Sequence, residues 1–572
     1  MSSIKQRDSA PSSNFEAIGL GIFIAVSVVT LGTTWSATHL AAKIDGDPAP
    51  PANPFTVLFG IAGGDVQWTP TATKVAIGIG VVLLTLVALI GWMFIRMIHG
   101  RARVDRATQR MGRGRGVKPL SRRAVAATAT RLGVQGAPGL EVGRSLSNGK
   151  PLMQDWESVS VDIWGPRTGK SSCRAIPAIM AAPGAVVATS NKRDLVDATR
   201  DPRSSKGDVW VFDPQGLTDE PVTWWWNPLS YVTDETKAQA LADLFFNASR
   251  KPGARSDPFF DGTACSVLAA MLLAASVAGK PITDVYLWIT APNNDEPVRI
   301  LERTDYPLIA AALRGAAAAP DKQRAGVYAS AQQIVSFLTN TQATSWVTPP
   351  RSSAAPQFDP ETFVRSTGTL YSLSKEGRGN AGPLVTALTV AVCEAAEEYA
   401  KTQPGGRLSV PLVVVLDEAA NVCRWQDLPD LYSHYGSRGV NVLTFLQSWS
   451  QGVETWGREG MRKLWSASTV KVYGGGVSEP EFLEEVSKLI GDYQHTQVST
   501  SHQRNTGRST SFQHRTDRIL DVSDLAALDR GRILIFASGA VPVLARTLPW
   551  FEGPDKAAIA ASVAAHDPGA RA

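Results

Sequence analysis

Three hydrophobic patterns follow one another along the chain. Ala17 to Ala42 is a 26-residue stretch without Asp, Glu, Lys or Arg, and Val75 to Ile95 is a 21-residue apolar stretch between Lys74 and Arg96. Each is long enough to cross a bilayer as a helix. A signal peptide is the alternative for the first, with Lys5 and Arg7 as a weak basic start. Its length and the second apolar stretch favour a two-helix transmembrane anchor instead, with spans at about 17–40 and 75–97 joined by a Pro-rich loop. Further on, short runs of strand character alternate with helical ones: Val159 to Ile163, Gly184 to Lys192, Asp208 to Pro214, Thr367 to Leu373, Pro411 to Leu416, Gly439 to Leu446, Thr469 to Tyr473, and Arg532 to Val543 as a hairpin. This alternation predicts an α/β domain built on a mostly parallel sheet. From about Asp257 to Asn340 the period becomes helical, with an Ala/Leu-rich run from Thr263 to Gly279 and few strand signals, which predicts an inserted all-α domain.

These patterns divide the chain into an anchor (1–100), a basic juxtamembrane linker (101–145), a nucleotide-binding α/β domain in two parts (146–255 and 351–553) around an all-α domain (256–350), and a C-terminal tail (554–572). The tail is Ala-rich and predicts a last helix with a frayed end. Composition adds two constraints. Of 572 residues only four are cysteines, Cys173, Cys265, Cys393 and Cys423, with no CxxC spacing, so neither a zinc site nor a disulfide framework is indicated. The formal net charge is +5, but 101–123 holds nine Lys/Arg against Asp105, a local +8, leaving about −3 for the rest. Nucleic-acid contact by the soluble part must then be local. The basic run after the second span puts both termini in the cytoplasm by the positive-inside bias and suits anionic lipid, with direct DNA contact as the alternative.

The candidate chemistry sits at strand ends. Gly165-Pro166-Arg167-Thr168-Gly169-Lys170-Ser171-Ser172 joins a strand to a helix, the context a phosphate-binding loop requires. Gly169 lets backbone N–H groups curl round a phosphate, Lys170 brings a cation to the β and γ oxygens, and Ser171 offers a hydroxyl to Mg²⁺. The usual first glycine is replaced by Trp164, with Gly165 beside it. A second strand end carries Asp417-Glu418 after Pro411-Leu-Val-Val-Val-Leu416, a Walker B pattern. Asp417 is predicted to hold Mg²⁺ through water and Glu418 to orient or deprotonate the attacking water. Gln447, ending the neighbouring strand, is the predicted γ-phosphate sensor. Arg438, Arg458 and Arg462 are candidates for an arginine reaching a neighbour's nucleotide, with Arg438 the leading choice; each reads equally as a surface ion-pair partner. Ser190 and Lys192 read as support for the nucleotide or as plain loop. Trp224-Trp225-Trp226 reads as packing rather than as a base-stacking platform. Gln494 to Arg518, with His495, His502 and His514, reads as an exposed hairpin or loop without metal-ligand spacing.

Taken together the motifs resemble the type IV secretion coupling proteins, the TraG/TraD class of conjugative DNA-transfer ATPases. The resemblance is carried by the two-span anchor, Arg167-Thr-Gly-Lys-Ser-Ser172, Ser190-Asn-Lys-Arg-Asp-Leu195, Phe212-Asp-Pro214, Asn227-Pro-Leu229, Asp257-Pro-Phe-Phe-Asp261, Leu416-Asp-Glu-Ala-Ala-Asn421, and Ser437-Arg-Gly439 leading to Gln447-Ser448. It implies a RecA-like P-loop domain, ATP and Mg²⁺ as cofactors, an inner-membrane location, and a homohexamer around a channel. It also implies single-stranded DNA or a relaxase–DNA complex as cargo and type IV secretion channel components as partners. The competing readings are a double-stranded DNA translocase, a protein-export ATPase with the same core, and a membrane adaptor that binds nucleotide without turnover.

Overall fold

The computed structural model describes residues 14–99, 103–250, 257–350, 355–375, 381–503 and 507–568. Of the sequence features above, Lys5, Arg7, Arg101 and the last four residues lie outside them, as does the side chain of His502. The chain forms two compact units, one of 1–106 with 493–517 and one of 107–492 with 518–572.

In the first unit, helices Asn14–Asp45 and Pro70–His99 pack on each other, with a short helix Pro54–Gly63 between them in sequence. Asn53 caps that helix through Phe55 N–H, and Gly64 ends it in the left-handed region. Pro70–Leu89 is both long and apolar enough to span a bilayer and only 6% buried. Leu84 and Val87 are 72% and 67% exposed. Such surface is unfavourable in water and favourable in hydrocarbon, so the two N-terminal apolar helices fit a membrane anchor. Helix Pro258–Val277 meets the same length and hydropathy test but is mostly buried. It is the core of the helical domain, and burial separates it from a span.

The second unit is organised by an eleven-stranded sheet. The strands of the whole chain, in order, are β1 (Leu140–Ser145), β2 (Pro151–Gln154), β3 (Ser160–Ile163), β4 (Val186–Ser190), β5 (Val209–Phe212), β6 (Thr369–Leu373), β7 (Leu412–Leu416), β8 (Val440–Leu446), β9 (Val470–Tyr473), β10 (Asp492–Gln503), β11 (Gly507–Arg518), β12 (Arg532–Ala537) and β13 (Val543–Arg546). The order in the sheet is β2-β1-β13-β12-β9-β3-β8-β7-β4-β6-β5; β10 and β11 form a separate two-stranded ribbon, which belongs to the first unit. From β9 to β5 every pairing is parallel. From β9 outward to β2 every pairing is antiparallel. Strands β3, β4, β6, β7 and β8 are buried at every position, because helices cover both faces. That is why they read as continuous apolar runs. The fold is the α/β, RecA-like P-loop architecture, with the helices between Glu235 and Ser345 inserted between β5 and β6.

The stretches read as linker and tail both pack on the second unit's core, the tail as the helix expected of it. Within 101–145, Met111, Val117 and Leu120 are buried, Gly112 N–H donates to Pro542 O, and Val541 N–H donates to Gly116 O. The part from Met111 to Leu120 is thus docked on the β12–β13 turn, and the end of the stretch supplies β1 to the antiparallel edge of the sheet. Near the C-terminus, helix Lys556–His566 packs on helix Asp194–Ser204, with Ile559 in the core. The tryptophan triplet is packing: Trp224 and Trp226 are buried, and Trp224 meets Trp210, Phe212, Trp346 and Phe358 at centroid distances of 5.2–5.9 Å.

Candidate functional site

The site lies where the parallel strands end. β3 runs straight into Trp164, whose ring is buried, and then into the Gly165–Ser172 turn. The unusual start of this loop has a local cause. Gly165 N–H donates to Gly475 O at 2.8 Å, and a Cβ on Gly165 would stand 2.0 Å from Gly476 O. A Cβ on Gly474 would in turn stand 2.1 Å from the Trp164 ring. The Gly474-Gly475-Gly476 turn after β9 therefore makes room for an indole where the usual loop has glycine. Arg167 and Gly169 adopt left-handed φ of 60° and 98°, and Thr168 Oγ1 closes the turn by donating to Gly165 O at 2.6 Å. The chain then winds through a π-type turn, Ser171–Ala175, into helix Ile176–Ala181.

Beneath the loop lies a buried polar anchor. Arg174, fully buried, donates from Nε to Asp162 Oδ2 at 3.0 Å, from Nη1 to Glu141 O at 3.1 Å, and from Nη2 to Gln154 Oε1. Burial pushes the Asp162 carboxyl above its ordinary range, and Arg174 opposes that shift. The anchor ties β3, which enters the loop, to the turn that leaves it.

The second motif converges on the first. Lys170 Nζ lies 2.9 Å from Asp417 Oδ1 and 2.5 Å from Glu418 Oε1, with all three side chains at most 10% exposed. Gln447 Nε2 donates to Glu418 Oε2 at 2.8 Å. Gln447 is itself held by Gln451, whose Oε1 accepts from Gln447 N–H at 2.9 Å. Glu418 sits at φ 54°, ψ 45°, a left-handed conformation uncommon outside glycine, at the turn between β7 and helix Ala419–Val422. Strain of this kind persists where the surroundings dictate it, as at functional sites. Burial would lower the Lys170 ammonium's pKa, but the two carboxylates outweigh it and hold it above the ordinary value. Burial raises Asp417 despite Lys170. Asp417 Oδ1, although near Nζ, accepts no well-aligned hydrogen bond and is buried. Its close partner is the Lys170 ammonium, so this buried carboxylate already sits beside a cation.

Lys170, Glu418 and Gln447 share a cleft of about 680 Å³ with the rest of Gly165 to Ser172 and with Lys192, and Asp417 lies buried behind its lining. Lys192 thus faces the cleft, whereas Ser190 lies at the buried end of β4 and its Oγ accepts from Lys192 N–H at 3.2 Å. Arg438 is not brought to the cleft: it ends helix Leu428–Arg438 and donates to Gly406 O at 2.8 Å. Arg458 and Arg462 are exposed, next to the helix break at Gly457 (φ 72°). Arg530, by contrast, lines the cleft from the turn before β12, and no motif in the sequence marks it. A larger cavity of about 740 Å³ lies among the helices Glu235–Ser249, Pro258–Val277 and Pro307–Ala317. Its lining is apolar apart from Glu235 and a few uncharged polar side chains, so it lacks phosphate-binding chemistry.

Residues 411–530, which include the Asp417-Glu418 strand end and Gln447, match the family described as the TraM recognition site of TraD and TraG. No curated protein matches the chain in sequence. Among solved structures, the fold is similar to the bacterial conjugative coupling protein TrwBdeltaN70 in an unbound form, at 17% identity and TM-score 0.52, covering 71% of this chain and 88% of that one. It is likewise similar to the plasmid coupling protein TrwB in complex with ADP and Mg²⁺, and in complex with a non-hydrolysable ATP analogue, ADPNP. Each of these is 16% identical and covers 74% of this chain and 92% of that one, with TM-scores of 0.53 and 0.54. The resemblance to coupling proteins carried by the motifs is thereby supported in segment family and in fold.

Proposed function

We propose that the chain is an inner-membrane ATPase that moves single-stranded DNA, alone or bound to a relaxase, toward a type IV secretion channel, a reading supported by the match of residues 411–530 to the TraD/TraG recognition segment and by a fold similar to that of conjugative coupling proteins. The observation that carries this reading is the convergence of Lys170, Asp417, Glu418 and Gln447, from three separate strand ends, within hydrogen-bonding reach of one another. Ordinary packing gains little from two carboxylates around one buried ammonium, since desolvation offsets the attraction.

The residues fit ATP and Mg²⁺. A bound magnesium ion neutralises charge on the β and γ phosphates. Ser171 and Asp417 would hold it, and magnesium commonly takes one or two protein ligands beside phosphate oxygens. Lys170 exchanges a carboxylate for a phosphate oxygen when nucleotide binds. Release from Lys170 leaves Glu418 held by Gln447 alone, placed to orient water or take its proton, and Gln447 senses the γ-phosphate through this bond. An arginine from a neighbouring subunit completes the site, so the working unit is a ring, in this reading a homohexamer. Arg458 or Arg462, exposed, suits that role better than Arg438 with its guanidinium on Gly406. The anchor helices hold the ring at the membrane with both termini cytoplasmic, and exposed parts of the 411–530 segment dock relaxosome or channel proteins.

The test is a mating assay in cells carrying the chain's own secretion genes. Glu418→Gln, at wild-type membrane abundance, lowers plasmid transfer by about the 10²–10⁴-fold typical of a lost general base. Transfer at the wild-type level with this variant refutes the proposal.

A further inference from the structure

The cleft is lined by two chemically different sets of residues. One is the cationic loop; the other is Ile176, Ala198, Trp550 and Val563, with Asp194, Asp197, Asp567 and Arg530 also in the lining. Three of those residues belong to the C-terminal segment, which no motif marked. The described part of this segment, to residue 568, is fixed. Ser562 Oγ donates to Asp197 O at 2.6 Å, Arg193 Nη2 donates to His566 O at 2.7 Å, and His566 Nε2 lies 2.8 Å from Asp201 Oδ1. Arg193 also grips Asp197 through Nε at 2.6 Å and Nη2 at 3.2 Å, so one guanidinium ties the last helix to the helix after β4. Ile559 is buried in the sheet's core, and Trp550 and Val563 pack against that core while remaining partly open. Trp550 meets Phe551 edge-on at 5.6 Å, an arrangement that orients its ring.

We infer that the segment Trp550–Asp567 is the nucleobase wall of the cleft, with Trp550 as the face on which the base stacks. The inference rests on the nucleotide reading of the site and deepens it. A nucleotide has an anionic end and a flat, weakly polar end, and the cleft of about 680 Å³ offers a counterpart for each. Every base has a π-face, so Trp550 strengthens binding without selecting the base. Lys170 fixes the phosphates; Trp550 fixes the other end; the Arg193–Asp197–His566 contacts set the distance between them.

The experiment is equilibrium binding to the full chain in detergent, with two probes: ribose-labelled fluorescent ATP with Mg²⁺, and inorganic tripolyphosphate, which lacks a base. Trp550→Ala weakens the ATP probe by about 5- to 100-fold, from the usual worth of base–aromatic stacking, and leaves tripolyphosphate unchanged. Trp550→Phe restores most of the loss. Lys170→Ala weakens both probes. Equal weakening of both by Trp550→Ala, or no weakening of either, overturns the inference while leaving the ATPase reading intact. Wild-type protein that binds neither probe overturns both.

Discussion

Arg174→Met tests whether the loop's geometry is set from below. The change keeps an unbranched apolar stem and removes the cation that Asp162, fully buried, depends on. It also strips donors from Glu141 O and Gln154 Oε1. Removing one partner of a buried ion pair typically costs about 3–5 kcal/mol, and nothing solvent-exposed here screens it. With two units and no single unfolding transition to read, the assay is native-state hydrogen exchange of peptides covering 160–181. At about 1.4 kcal/mol per factor of ten, protection there falls by roughly two to three and a half orders of magnitude. The pH dependence has a definite sign. Asp162 titrates higher in the folded chain than in the unfolded one, and more so without Arg174. Its penalty is therefore absent below the unfolded value near 4, grows as pH rises, and is complete above the folded value. Arg174→Met is thus less damaging at pH 5 than at pH 8, and adding Asp162→Asn removes most of that difference. A loss under about 1 kcal/mol, or one that deepens toward acid, refutes the reasoning.

Further outcomes follow from the same geometry. Gly474→Ala forces its methyl into the Trp164 ring 2.1 Å away, so it costs about 1–3 kcal/mol of overpacking and weakens ATP binding, read by nucleotide fluorescence; unchanged binding would show that Trp164 does not shape the loop. Asp234 caps helix Glu235–Ser249, accepting from Lys237 N–H at 2.9 Å, and this bond holds its carboxyl below the ordinary range. Its stabilising effect is present above the unfolded value and lost as pH falls through the folded one, and Asp234→Ala costs about 1 kcal/mol in exchange protection of that helix. For the trans arginine, mixing Lys170→Ala subunits with Arg458→Ala or Arg462→Ala subunits restores turnover at hybrid interfaces if the substituted arginine serves its neighbour. Arg438→Ala, which loosens Gly406, gives no such complementation.

What could be read from the sequence was what lies close together in it. Lys170, Asp417-Glu418 and Gln447 each end an apolar strand, and strand ends of a parallel sheet gather at one edge, so their convergence followed from topology. The reason for Trp164-Gly165 was not legible, because the space for the indole comes from Gly474-Gly475-Gly476 some 300 residues later, a triplet that locally reads as a loop. Arg530 and Trp550 reach the cleft only because β12 and β13 turn back antiparallel, and no spacing rule links them to the P-loop. Arg438 closes the helix before β8, and that its guanidinium donates to Gly406 O could not be read from spacing, because Gly406 lies 32 residues earlier in the chain. Hydropathy alone also could not separate Pro258–Val277 from a membrane span; only its packing does.

The measurement that bears most directly on the central claim is ATP turnover by the full chain in detergent at low salt, with and without single-stranded DNA, beside Lys170→Ala and Glu418→Gln. The account predicts turnover that DNA stimulates and that salt suppresses, with Lys170→Ala unable to bind nucleotide and Glu418→Gln binding it without hydrolysis. Wild-type protein assembled as a ring but as silent as both variants would contradict it and leave a nucleotide-binding adaptor in its place.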